Sequence, residues 1–166
     1  MTDRDFDARF IDRDAQPTLA IRIQVPMADL DMGEIYGREL PRLFTRMQEL
    51  NAEMAGAPYG RYFAWGDDEA DVEIGLPVGR PLDALRPLRE LPAGDIGASE
   101  LPAGPAAVAT HRGPYDDLPS TYGRLHDWIH EQGREDSLGP WESYLTDPDT
   151  VTDPADLRTE VCYPVA

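Results

Sequence analysis

The chain has 166 residues, of which 41% are hydrophobic and 28% are charged, and this is enough to bury one compact core without disulfides or metals. Its 32 acidic and 15 basic residues give a formal net charge of -17, which excludes nucleic acid as a partner because a phosphate backbone is bound by clustered Lys and Arg. The single cysteine, Cys162, excludes an intramolecular disulfide and a cysteine-based zinc cluster.

The N-terminal residues carry charges at nearly every second position. They contain no apolar run of the kind that a secretory signal or a membrane span requires. We therefore expect a cytoplasmic protein with no membrane partner, in which residues 1–17 form an N-terminal extension ahead of a single domain over residues 18–166.

The first half of that domain predicts a β-α-β-β unit. Residues 18–25 alternate apolar and polar side chains, as a half-buried strand does. Residues 34–54 carry an apolar stripe at spacings of three and four, which predicts a helix with Asp31 as its N-cap. Two further strands are predicted over residues 61–65 and 71–78, joined by a turn.

The second half returns to the same order after a connector rich in Pro and Gly over residues 79–94. Its predicted elements are strands over residues 96–101 and 106–112, a helix over 116–132, and strands over 141–145 and 157–165. The first repeat would span about residues 18–78 and the second about residues 95–166.

The duplication can be tested by the sequence offset between the halves. An offset of 82 residues pairs Leu43 with Leu125 and Gly60 with Glu142, and after a five-residue insertion an offset of 87 pairs Ile74 with Val161. We predict an α+β fold in which a duplicated β-α-β-β unit with pseudo-twofold symmetry places antiparallel sheets and two main helices around a central cleft. The alternative is a coincidence between two generic α+β units.

Glu142 is the candidate ligand-binding residue. In a strand, Glu142 and Tyr144 share one face, whereas Trp141 points to the other. In the repeat, Gly60 is the equivalent of Glu142, and Tyr62 is the equivalent of Tyr144. A buried carboxylate is costly unless it is paired, and an organic cation would supply the pair while its aromatic body covers rings. The alternative is a solvated strand residue.

Other aromatic residues are weaker candidates for lining the same site. Trp65 and Tyr36 are predicted at a strand end and a helix start, and His111 ends a strand. The alternative for Trp65 and Tyr36 is a core position, and the alternative for His111 is a position outside the cleft. Tyr122 and Trp128 lie on the apolar stripe of the second helix and are assigned to the core.

A metal site is not expected. His126 and His130 lie four residues apart and can share a helix face. However, no glutamate lies between them in the spacing of the known zinc helix motif. We predict neither a metal nor any other cofactor.

The stretches HRGPYDDLPSTYGRLHDWIHEQG, GPWESYLTDP and TEVCYPV resemble the second half of the gyrase-inhibitor-like family, which includes effector-binding domains of AraC-type and MerR-type regulators. The resemblance covers most of the chain from residue 18 and is densest over residues 111–165. It implies a cleft glutamate that receives hydrophobic cations, carried here by Glu142, with Tyr144 and Tyr115 beside it. Two departures from the family pattern are expected to matter: we expect no helix-turn-helix segment ahead of the domain, and Trp141 separates the usual proline from the glutamate.

These observations lead to a principal hypothesis and two alternatives. The principal hypothesis is a stand-alone multidrug-binding protein for hydrophobic, aromatic and often cationic molecules. One alternative is a hydrolase of cyclopropane-bearing or similar reactive toxins, in which Glu142 orients water and Tyr144 donates a proton or hydrogen bond. The other is a protein-interaction module of the gyrase-inhibitor type, in which the acidic surface contacts a protein partner.

Overall fold

The computed structural model describes residues 7–65, 68–137, 139–146 and 150–166, except for the side chains of residues 32, 64 and 65. The described residues form two compact units. The first unit is Ala15–Pro102, and the second unit combines residues 7–14 with Ala103–Ala166. The strands are β1 (Arg9–Arg13), β2 (Gln16–Pro26), β3 (Tyr59–Trp65), β4 (Glu69–Pro77), β5 (Ile96–Leu101), β6 (Gly104–Arg112), β7 (Trp141–Tyr144) and β8 (Arg158–Pro164). The helices are α1 (Met32–Glu49) and α2 (Leu118–Glu131).

The first unit is an antiparallel sheet in the order β3-β4-β2-β5, with α1 on one face. Helix α1 begins after Asp31, whose side chain accepts a hydrogen bond from the Glu34 backbone N–H at 3.1 Å, as the sequence predicted. The helix ends at Glu49, five residues before the predicted end, because Asn51 takes a left-handed conformation with φ of 52°. Its apolar stripe covers side chains from β2 and β4, including Leu19, Ile21, Ile23, Val72, Ile74 and Leu76.

The second unit repeats this architecture with the order β7-β8-β6-β1 and α2 on one face. Leu118, Leu125 and Ile129 of α2 pack over Ala107, Ala109 and Val161 of the sheet. Burying these side chains supplies the main stabilisation of the unit, at about 25 cal/mol for each Å² of apolar surface removed from water. Neither helix in the described part of the chain has the length and apolar character needed to cross a membrane.

Strand register confirms the duplicated β-α-β-β pattern. In the first unit Gly60 lies opposite Ile74 across β3 and β4. In the second unit Glu142 lies opposite Val161 across β7 and β8. These pairs are related by the two offsets read from the sequence, so Glu142 occupies the position of Gly60 in the repeat. The α+β fold class of the prediction is confirmed.

The predicted boundaries of the repeats need two corrections. Strand β5 was expected to open the second repeat, but it pairs with β2 inside the first unit, with Ile21 opposite Ile96. The expected extension over residues 1–17 contains β1, which pairs with β6, with Phe10 opposite Ala107. Both are edge strands, and alternation along one strand does not reveal which strand it pairs with.

The connector over residues 79–94 belongs to the first unit. Leu82 and Leu88 are buried, with 7% and 4% of their surfaces exposed. The Gly94 backbone N–H donates to the Arg22 carbonyl at 2.9 Å. The apolar side chains of the connector therefore pack within the first unit.

Candidate functional site

Glu142 is buried on the helix-facing side of the second unit. Only 4% of its surface is exposed. It lies opposite Val161, a member of the core beneath α2. Because strand side chains alternate, this register turns Trp141 to the other face of the sheet, as the sequence analysis expected. There Trp141 is also buried, and the Arg13 guanidinium lies 5.1 Å from the centre of its ring.

Two tyrosine hydroxyls satisfy the Glu142 carboxylate. The Tyr122 hydroxyl of α2 donates to Oε1 at 2.8 Å, and the Tyr144 hydroxyl of β7 donates to Oε2 at 2.7 Å. An ionised carboxylate only accepts hydrogen bonds, and such charge-assisted bonds are about twice as strong as neutral ones. The pair of hydroxyls therefore holds both oxygens of Glu142 in fixed positions.

Further aromatic rings surround this carboxylate. The Tyr115 ring meets the Tyr144 ring edge to face, with 5.9 Å between centres, and Tyr163 meets Tyr122 in the same way at 5.8 Å. We call Glu142 with Tyr115, Tyr122, Tyr144 and Tyr163 the tyrosine cluster. Burial, and then the negative charge of Asp136, raise the pKa of Tyr163 to about 12. Its ring thus stays neutral at physiological pH.

A carboxylate with tyrosine partners but no cation is unusual inside a protein. Across the ranges that the structure describes, no Arg, Lys or His side chain forms an ion pair with Glu142. Glu39 of α1 provides a contrast, since it is also buried but is paired with Arg38 at 2.8 Å and with Arg42 at 2.6 Å. The tyrosine cluster therefore presents a buried carboxylate that has no cationic partner among the described residues.

His111 has a structural position rather than one in the cluster. Its Nδ1 lies 2.7 Å from the Thr121 hydroxyl, and its Nε2 lies 2.8 Å from the Pro114 carbonyl oxygen. Because that carbonyl can only accept, the ring donates to it from Nε2. His111 thereby ties the end of β6 to the start of α2, which carries Tyr122.

The remaining predicted site residues belong to the first unit. Tyr36 and Tyr62 are partly buried and pack against its core. Trp65 ends β3, and its side chain lies outside the described residues. Membership of these three residues in a ligand site stays a prediction.

Tyr122 is the functional candidate that the sequence analysis assigned to the core. It does pack against the core beneath α2, but its hydroxyl reaches Glu142. The repeat held a signal for this contact. At the positions equivalent to Tyr122 and Glu142, the first half has Leu40 and Gly60. The second half therefore differs from the first at two positions, and the side chains at those two positions form a hydrogen bond with each other.

The first unit has a buried carboxylate of its own on the sheet face opposite α1. Glu73 accepts hydrogen bonds from Tyr59 at 2.5 Å and from Ser99 at 2.9 Å. Burial raises the pKa of Glu73, and the two donors and the nearby charges of Arg61 and Arg22 oppose this rise. Glu73 lines an open cavity of about 470 Å³ that already contains cationic side chains, including Arg22, Arg61 and Arg89.

Comparison with known proteins assigns the chain to a family. Residues 6–166 match the family model described as the GyrI-like small molecule binding domain. The chain belongs to this family, which confirms the resemblance read from the sequence. No curated protein sequence is significantly similar to the chain.

Solved structures support the same fold. The C-terminal domain of EcmrR is 22% identical with a TM-score of 0.78, and the match covers 97% of this chain and 98% of that one. In the EcmrR–DNA complex, the chain spans only 57% of the matched protein. SAV2435 bound to tetraphenylphosphonium is 14% identical with a TM-score of 0.67, covering 96% and 94% of the two chains. A hydrolase from Listeria innocua is 14% identical with a TM-score of 0.59, covering 96% and 91%.

Proposed function

We propose that this small-molecule-binding domain binds hydrophobic organic cations and that Glu142 is the carboxylate that attracts their positive centre. The observation that carries the proposal is the geometry of Glu142, which is 4% exposed, accepts two tyrosine hydroxyls and has no cationic partner within the described ranges. A positively charged ligand supplies the missing counter-charge.

Electrostatics favour a cation at this position. At about 5 Å and an effective dielectric constant near 20, two unit charges attract by about 3 kcal/mol. The formal net charge of -17 adds a weaker attraction that salt screens over a Debye length of about 10 Å. The buried carboxylate therefore makes the specific contribution, and the surface charge makes a general one.

The tyrosine rings supply the second half of the recognition. A cation above the face of a tyrosine ring gains roughly 0.5 to 2 kcal/mol. Tyr115 and Tyr144 are only partly buried, so an aromatic ligand can stack on these rings while its charge faces Glu142. Contacts of this kind depend little on the exact outline of the ligand, which suits recognition of several flat or propeller-shaped cations.

A structural relative is consistent with this ligand class. SAV2435 has the same fold and was solved with tetraphenylphosphonium, a cation whose charge is enclosed by four phenyl rings. At 14% identity this likeness supports the choice of tetraphenylphosphonium as a probe.

Titration calorimetry with tetraphenylphosphonium tests the proposal. We expect saturable binding to the wild type and at least tenfold weaker binding to Glu142→Gln, a loss of about 1.4 kcal/mol or more. Glu160→Gln is the matched control, because it removes the same charge from β8 at a residue that lies opposite Ser143 rather than Glu142. Tetraphenylborate is the control ligand, since it has nearly the same shape and the opposite charge.

Three results would contradict the proposal. Equal affinity of the wild type and Glu142→Gln would remove Glu142 from its role. An equal loss in Glu142→Gln and Glu160→Gln would assign the attraction to overall charge. Binding of tetraphenylborate as tight as that of tetraphenylphosphonium would show that hydrophobic contact alone drives association.

Hydrolysis of a reactive small molecule is a second candidate, and the Tyr144 hydrogen bond to Glu142 at 2.7 Å favours it. A carboxylate can orient or deprotonate water, and a neighbouring hydroxyl can donate to a developing oxyanion. A cyclopropane-bearing electrophile should then be consumed with turnover by the wild type, and Glu142→Gln should abolish that turnover. Binding without consumption would leave ligand binding as the function.

A further inference from the structure

The C-terminal end of α2 carries a cluster of metal-ligating side chains separate from the tyrosine cluster. His126 and His130 lie one turn apart on the helix, and Asp136 follows it in the chain. One ligand atom from each residue lies within 4.8 Å of the others. His126 Nδ1 is 3.0 Å from Asp136 Oδ2, and His130 Nε2 is 3.2 Å from Asp136 Oδ1.

We propose that His126, His130 and Asp136 form a binding site for a divalent transition metal, with Zn²⁺ as the preferred ion. Two imidazole nitrogens and one carboxylate oxygen are a ligand set that suits zinc, with a fourth position left for water. Ligand atoms at about 2.1 Å from a tetrahedral zinc ion lie about 3.4 Å from each other, and the two distances from the histidine nitrogens to Asp136 oxygens, 3.0 and 3.2 Å, are near this value. The metal takes the place of the hydrogen in the two hydrogen bonds.

Asp136 is held in position by the backbone around it. Gly133, with φ of 76°, turns the chain after the helix, and the Arg134 N–H donates to the Ile129 carbonyl at 3.1 Å. The Ser137 N–H donates to the Pro164 carbonyl at 2.7 Å, and Asp136 itself forms an isolated bridge with Val165. The carboxylate is thus fixed in position before the metal arrives, which reduces the entropy lost on binding.

The location also favours a cation. The side chains of His126 and His130 are each 47% exposed, so an ion reaches them directly from solvent. The last turn of a helix carries partial negative charge because the peptide dipoles along the helix are aligned.

The sequence alone predicts no metal here, because the known zinc helix motif requires a glutamate between the histidines. The structure supplies the acidic ligand from outside the helix instead. Zinc bound here would link the end of α2 to Asp136, which pairs with Val165 just after β8. This site is independent of the one proposed at Glu142.

Competition with a chromophoric zinc chelator measures this site directly. We expect the wild type to bind one equivalent of Zn²⁺ with micromolar or tighter affinity, and His126→Gln, His130→Gln and Asp136→Asn each to weaken binding at least tenfold. Asp127→Asn is the matched control, since it removes the same charge from an exposed position on α2 and should leave affinity within about twofold.

Two spectroscopic measurements identify the ligands. Substitution with Co²⁺ should give the strong visible absorption of a tetrahedral site in the wild type and not in Asp136→Asn. On addition of Zn²⁺, nitrogen NMR signals of His126 and His130 should shift, while those of His111 stay in place because both of its ring nitrogens are engaged locally. Zinc affinity equal in the wild type and Asp136→Asn, or too weak to compete with the chelator, would overturn the proposal.

Discussion

The two units share one architecture but use its helix-facing side differently. The positions that carry Tyr122, Glu142 and Tyr144 in the second unit carry Leu40, Gly60 and Tyr62 in the first. In the first unit Leu40 and Tyr62 pack into a hydrophobic core, whereas in the second a carboxylate and two hydroxyls form hydrogen bonds at the same place. The architecture therefore forms with glycine at the position of Glu142 in the first unit, and we propose ligand binding as the role of the carboxylate in the second.

The buried carboxylate of the first unit sharpens this difference. Glu73 lies on the opposite face of its sheet, where arginine side chains line the same cavity. Its repeat equivalent in the second unit is Glu160. Glu73 thus has cationic side chains nearby, whereas Glu142 has no cationic partner among the described residues, and we propose that a ligand takes that position.

The largest expected effect tests whether the hydrophobic cores of the two units are equivalent. Leu43 and Leu125 occupy corresponding helix positions and are fully buried. Replacing either by Ala removes a core side chain and leaves a cavity, so we expect each to lower the free energy of unfolding by about 2–5 kcal/mol. Urea denaturation measures both. If one substitution left the free energy of unfolding unchanged, the two cores would not be equivalent.

A smaller effect is expected where the second unit departs from the first. Tyr122→Phe leaves Oε1 of Glu142 without its tyrosine donor and should cost about 1–3 kcal/mol of unfolding free energy. Tyr163→Phe is the control, because within the described part of the chain the Tyr163 hydroxyl forms no hydrogen bond. Adding Glu142→Gln to Tyr122→Phe should recover part of the loss. Equal costs for the two Phe variants would mean that the hydroxyl bond contributes little.

The pH dependence of stability tests the environment of Glu73. Its pKa in the folded protein is raised above the usual 4.5 by burial. The folded state therefore binds the proton more tightly than the unfolded state, so this stabilisation is complete below pH 4.5 and is lost as pH rises through the folded value. The wild type should therefore lose stability relative to Glu73→Gln as pH rises through that value, and urea denaturation over a series of pH values measures this. A difference that grows in favour of wild type with rising pH would contradict the assignment.

Much of this organisation can be predicted from the sequence because hydrophobic periodicity is a local signal. The stripe of α2, the strand around Glu142 and both offsets of the repeat agree with the observed register. The partner strand of each strand cannot be predicted from such a local signal. Strands β1 and β5 pair across long stretches of chain, and nothing in their own alternation identifies the strand beside them.

The same distinction between local and distant contacts applies to the sites. Glu142 stands out because the repeat makes its position unusual, and Tyr144 follows from strand alternation. Tyr122 was assigned to the core because the ring of a tyrosine on an apolar stripe is buried whether it only packs in the core or also reaches a site. Only the direction of its hydroxyl distinguishes the two roles, and the sequence does not give that direction. Asp136 could not be matched to the two histidines, since a turn and a strand pairing bring it to them.

The most direct test of the central claim compares thermal unfolding of the wild type and Glu142→Gln with and without tetraphenylphosphonium. We expect the two proteins to differ by about 1 kcal/mol or less without ligand, because the first unit folds with glycine at the equivalent position. A ligand at 100 times its Kd stabilises the folded state by about 2.7 kcal/mol, and this gain should appear in the wild type and largely vanish in Glu142→Gln. A full ligand-induced gain in Glu142→Gln, or a variant that unfolds without ligand far below the wild type, would contradict the claim that Glu142 serves binding rather than folding.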